Sequence, residues 1–88
     1  MYELYITMSF AKELKKLNNK ERERIKEKLK SSKEAPFRYF ERMTASSLFK
    51  MRIGKYRVRA RINLTKKEIW PLSVKLRKNA YKKHNKLE

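Results

Sequence analysis

Apolar positions recur along this chain at two different spacings. Over residues 2–8 they alternate, and Tyr2, Leu4, Ile6 and Met8 at period two predict a strand with those four on one face. From Phe10 the spacing lengthens. Phe10, Leu14 and Leu17 predict a helix, with Ser9 as its N-cap and Lys12, Lys15 and Lys16 pointing outward. Asn18-Asn19 interrupts it, and Asn18 with Glu21 three residues on forms a capping-box pattern. The second helix so opened runs to about Ser31 and turns Ile25 and Leu29 inward, while Glu23 and Glu27 alternate with Arg and Lys on its solvated side. Two short antiparallel helices joined at Asn18-Asn19 make a helical hairpin. Ser31-Ser32 and Pro36 mark an exit into a loop or short edge segment, in which Phe37, Tyr39 and Met43 offer a second apolar anchor.

Period two then returns. Leu48–Ile53 and Tyr56–Asn63 both alternate, with Gly54-Lys55 between them as a tight hairpin turn. Phe49, Met51 and Ile53 face one way, with Tyr56, Val58, Ala60 and Ile62 on the matching face of the next strand. Thr65-Lys66-Lys67 makes a second turn. Residues 68–77 form a further strand with Trp70, Leu72, Val74 and Leu76 inward. Trp70 and Tyr56 are both expected in the core. The order strand, helix, helix, meander predicts a single α+β domain over residues 1–88. Its two-helix hairpin packs on one face of an antiparallel three- to four-stranded sheet, since a half-buried sheet needs a cover. Residues 78–88 form a polar, basic tail that includes the chain's one histidine, His84, which is expected to be exposed.

Charge sharpens this picture. The 88 residues carry 26 Lys and Arg against nine acids, a formal net charge of +17. Residues 42–87 hold fifteen of those cations and a single acid, Glu68. Such a field attracts polyanions. With no cysteine and one histidine, the chain offers no disulfide and no metal site, and no cofactor is expected. No apolar run is long enough to span a bilayer, and the N-terminus lacks the pattern of a signal peptide. A cytoplasmic protein that does not engage membranes is the expectation.

Alternation makes one further claim. If the apolar residues face the helices, then Lys50, Arg52, Arg57, Arg59, Arg61, Lys75 and Arg77 gather on the opposite face. Seven cations on one small surface repel one another, and alternating signs would be cheaper. Solvated strand positions account for some of them, and Lys and Arg also discourage edge aggregation. Bound phosphate accounts for all of them. Arg dominates the central strand, and its planar fork grips phosphate at two points and stacks on bases. Single-stranded RNA suits a sheet face of this kind.

Gly54-Lys55-Tyr56-Arg57-Val58, preceded by Lys50-Met51-Arg52 and followed by a strand ending Lys75-Leu76-Arg77 with Tyr81 four residues on, resembles the RelE/ParE toxin superfamily. The match covers nearly the whole chain and is most similar to compact archaeal-type RelE toxins. The resemblance implies a microbial-RNase-like fold and a toxin of a type II toxin–antitoxin system. It implies an endoribonuclease that cuts messenger RNA in the ribosomal A site by attack of a ribose 2′-hydroxyl on the adjacent phosphate. It further implies that Arg57 stabilises the pentavalent phosphate, with Lys50 and Arg52 beside it. Lys75 or Arg77 would neutralise the leaving oxygen, and Tyr81 would stack on a base. Arg59, Arg61, Lys78, Lys82 and Lys83 are the expected flanking RNA contacts. The implied protein partner is a RelB-like antitoxin in a hetero-oligomer. Two alternatives are a non-catalytic RNA- or ribosome-binding module and a ParE-like toxin that acts on gyrase.

Overall fold

A computed structural model describes residues 1–77. In chain order the elements are β1 (Glu3–Leu4), α1 (Met8–Lys15), α2 (Asn19–Ser32), α3 (Pro36–Tyr39), β2 (Glu41–Arg42), β3 (Phe49–Ile53), β4 (Tyr56–Asn63) and β5 (Glu68–Leu76). The strands form one sheet in the order β1-β5-β4-β3-β2. Only the β1–β5 pair is parallel; the other three are antiparallel. The α+β class, the helical hairpin and the meander match expectation, but the sheet has five strands rather than three or four.

The core lies between the helices and one sheet face. Phe10, Ile25 and Leu29 from the helices meet Met51, Val58, Ala60 and Ile69 from the strands, and all are buried. Burying side chains of this size stabilises by about 1.5–3 kcal/mol each. The apolar sets expected from β3 and β4 all point inward, with Phe49 partly buried at the margin. Gly54, at φ 59°, occupies the first central position of the two-residue β3–β4 turn, where a left-handed backbone favours glycine.

Four expectations need correction. The first strand ends early: β1 is two residues long, and Ile6 and Met8 are exposed rather than inward. The α1 N-cap is Thr7, not Ser9; the Thr7 hydroxyl accepts from the Phe10 N–H at 3.2 Å. Residues 36–43 are anchored chiefly by the buried Phe40, with Tyr39 packed against the core as expected and Phe37 half exposed. Finally, β5 does not alternate throughout. Arg59 pairs with Ser73 and Ala60 with Pro71, so Leu72 is an extra residue and the ladder is bulged. Before the bulge Ile69 and Pro71 point inward, and after it Val74 does. Trp70 therefore belongs to the opposite face and is not a core residue.

The short β1 leaves much of the outer edge of β5 without a strand partner, and α1 covers it with side chains. Thr7 donates its hydroxyl to the Pro71 carbonyl at 2.8 Å, and Ser9 donates to that of Leu72 at 3.0 Å. The Val74 N–H donates to Glu13 Oε1 at 3.0 Å. Backbone groups that would template edge pairing are satisfied within the chain.

At α2, Asn18 Oδ1 accepts from the Glu21 N–H at 2.9 Å, which is half of the capping box. The Glu21 carboxylate instead reaches across to the sheet. It accepts from the Tyr56 hydroxyl at 2.7 Å and pairs with Lys55 at 3.6 Å. Hydrogen bonding to Glu21, then burial, raises the Tyr56 phenol above its ordinary pKa. Tyr56→Phe is expected to cost about 1–2 kcal/mol in urea unfolding, because a hydrogen bond to a charged group is lost. An unchanged midpoint would show that this link between α2 and the sheet contributes nothing.

Candidate nucleic-acid interface

On the sheet face opposite the helices, cross-strand pairing sets the cations in rows. Arg52 of β3 lies directly opposite Arg57 of β4, which lies opposite Lys75 of β5. In the next row of that face Lys50 is opposite Arg59, and Arg59 is opposite Ser73. Directly paired Cβ atoms in such ladders are about 4.5–5.5 Å apart, so these side chains share one small surface. Arg77 follows β5, its N–H donating to the Lys55 carbonyl at 3.0 Å. Alternation sets it on the side of Lys75 as a diagonal neighbour of Arg57. Arg61 continues the β4 series beyond the bulge, opposite Trp70.

The face is unevenly neutralised. Lys75 Nζ bonds Glu13 Oε2 at 2.7 Å, and Lys50 Nζ lies 4.0 Å from Glu41. Partial burial pushes the Glu13 carboxyl up. The Lys75 hydrogen bond, the Val74 N–H and the charges of Lys75 and Lys16 outweigh that, leaving it below the usual glutamate range. Arg52, Arg57, Arg59, Arg61 and Arg77 have no carboxylate partner among the described residues. The Nε atoms of Arg57 and Arg77 are buried and lack a hydrogen-bond partner among those residues. A buried donor without a partner is costly. An anion that reached either guanidinium group would supply the missing acceptor.

All of the expected site residues from Lys50 to Arg77 are thus brought to one face. Tyr81, Lys78, Lys82 and Lys83 lie outside the described residues. Reading the sequence missed Glu13, which hydrogen-bonds Lys75, and Glu41, which lies near Lys50; no local pattern relates Glu13 to Lys75, 62 residues away. It also missed Trp70 on this face, although Pro71 inside a strand is a bulge signal. Among the described residues no cluster of His, Cys, Asp and Glu forms a metal site. Within the same residues no helix is long and apolar enough to cross a membrane.

No family model and no curated protein matches the sequence. Solved structures do match. The isolated RelE toxin of Escherichia coli is 25% identical with a TM-score of 0.71, over 98% of this chain and 97% of that one. An archaeal RelE–RelB complex from Pyrococcus horikoshii is 25% identical with a TM-score of 0.73, over 86% and 94%. A RelBE toxin–antitoxin complex from Mycobacterium tuberculosis is 24% identical with a TM-score of 0.77, over 86% and 98%.

The chain has the RelE toxin fold. Within that fold the central strand β4 supplies Arg57, Arg59 and Arg61 to the open face, and β3 and β5 flank them. Holding these charges together without a ligand opposes folding. Arg57→Gln is therefore expected to raise the melting temperature by a few degrees at low salt and to reduce the stabilisation that added salt gives. A lower melting temperature for this variant, with salt dependence unchanged, would show that the row is not strained. Glu13→Gln should lower the melting temperature by about 2–4 °C near neutral pH, as expected for one partly exposed ion pair. The folded-state pKa of Glu13 is depressed, so its contribution is complete above the ordinary value. It is lost as pH falls below about 4.3, where the variant and parent should converge.

Proposed function

We propose that this chain is the toxin of a type II toxin–antitoxin pair and an endoribonuclease that cuts messenger RNA on the ribosome. The observation that carries this reading is the Arg52–Arg57–Lys75 row, with the buried Nε atoms of Arg57 and Arg77, which lack a hydrogen-bond partner among the described residues. The fold supports it, being that of the RelE toxins.

The reaction follows from phosphate chemistry. A ribose 2′-hydroxyl attacks its own 3′-phosphate, losing its proton to solvent, the 2′-O–P bond forms as the P–O5′ bond breaks, and the departing 5′ oxygen takes up a proton, so the products are a cyclic phosphate and a free 5′-hydroxyl. Arg57, with Arg77 diagonal to it, holds the non-bridging oxygens as negative charge builds on them. Lys50 and Arg52 lie on the side of the attacking hydroxyl. Lys75, steadied by Glu13, faces the leaving oxygen. The described part of this face has no histidine, so the principal contribution is electrostatic. Preorganised donors aimed at developing charge are worth about 10²–10³ in rate apiece. Arg59 extends the grip along the strand and Arg61, beyond the bulge, is a further RNA contact, with Tyr81, Lys78, Lys82 and Lys83 as the proposed contacts of the tail.

The partner that restrains such a toxin is an acidic, RelB-like antitoxin. Several matched structures are RelE–RelB complexes. The +17 charge favours an acidic chain wrapping this one.

Induction of the chain alone should arrest growth and translation, and mapped 5′ ends of messenger RNA should fall within translated codons. Arg57→Ala should lower cleavage about 10²–10³-fold and relieve the arrest with the fold intact. Arrest with intact messages would instead favour a non-cutting RNA- or ribosome-binding role or a ParE-like action on gyrase. Equal toxicity of Arg57→Ala would remove the proposed phosphate role.

A further inference from the structure

Beyond the bulge the open face changes character. Tyr5, following β1, stacks on Trp70 of β5 with ring centroids 4.6 Å apart and planes 16° from parallel. Trp70 Nε1 donates to Glu68 Oε1 at 3.2 Å, which fixes the indole in its plane. Arg61 is directly opposite Trp70. Trp70 and Arg61, with Ser47, Asn63, Leu64 and Thr65, line a concavity of about 440 Å³. Tyr5 is 40% exposed, although packing with Trp70 would be reason enough to bury it.

We propose that Tyr5, Trp70 and Arg61 form a base-stacking site for a nucleotide of single-stranded RNA, separate from the phosphate-gripping row. The inference rests on the RNA-binding reading above and adds a second point of contact to it. An unpaired base presents a flat π-face that stacks on aromatic rings whatever its identity. Here the rings are held before binding, one by stacking and one by a hydrogen bond. That limits the ordering cost. The stacked rings, rather than the local charge, favour a base over a phosphate. Glu3 is directly opposite Glu68, and these two acids offset Lys66 and Lys67 of the adjoining turn, leaving Arg61 as the cation directly opposite the indole. Arg61 is four residues from Arg57 along β4, or about 13 Å at the rise of an extended strand. The two sites are thus far enough apart to hold different nucleotides of one strand.

Trp70 is the sole tryptophan of the chain, so its emission reports this site alone. The test titrates the full chain with a hexanucleotide RNA, and with a sugar–phosphate strand of equal length that lacks bases, at low salt. The intact RNA should quench Trp70 saturably. The abasic strand should bind in a salt-sensitive way without quenching. Trp70→Ala should weaken binding of the intact RNA about five- to hundredfold, as loss of one stacked base does, and leave abasic binding unchanged. Trp70→Phe, which keeps a ring, should retain most of the affinity. It also serves as the folding control, with its melting temperature measured alongside. Intact RNA that binds without altering Trp70 emission, or that binds Trp70→Ala as tightly as the parent, overturns the stacking site but not the cationic row. Failure of the parent chain to bind either strand overturns both.

Discussion

Strand β4 has neighbours on both sides, and its pleat sends successive residues to opposite faces. Tyr56, Val58, Ala60 and Ile62 enter the core while Arg57, Arg59 and Arg61 emerge on the other side. The hydrophobic core and the cationic surface are therefore two faces of one backbone. A slip of one residue in register would bury three guanidinium groups and expose four apolar side chains. Burial on the helix side is what holds the arginines together against their mutual repulsion.

The perimeter of the sheet follows from how its edges are satisfied. β1 is too short to cover β5, and the polar side chains of α1 complete the edge. One of these, Glu13, does two things: it takes up a strand N–H and binds Lys75. The helix that stabilises the sheet edge thereby also holds a cation of the open face. Glu41 on β2 stands in a similar relation to Lys50 from the other side, at longer range. Such outer contacts partly neutralise Lys75 and Lys50, while Arg52, Arg57 and Arg59 have no carboxylate partner among the described residues.

The bulge at Leu72 divides the open face into two chemical environments. On one side lie Arg52, Arg57, Arg59 and Lys75, suited to phosphate. On the other lie Tyr5, Trp70 and Arg61, with Glu3 and Glu68 nearby, suited to a flat polar ring. A continuous β5 would have turned Trp70 into the core and set Ile69 and Pro71 on the open face.

Read alone, the sequence carried the elements with strong periodicity and their consequences. These include the two helices, the β3–β4 hairpin with its glycine, the inward sets of β3 and β4, and the cations collected on the opposite face. Each depends on local spacing and on one rule, that apolar area leaves water. The tertiary structure decided the rest. The parallel docking of β1, the early start of α1 at Thr7, the anchoring by Phe40, and the pairing of Glu13 with Lys75 all depend on groups far apart in the chain. Trp70 shows the limit most clearly. One inserted residue reverses the alternation, and although Pro71 warns of an irregularity, only the pairing of β5 with β4 reveals where the phase changes and which face the indole joins.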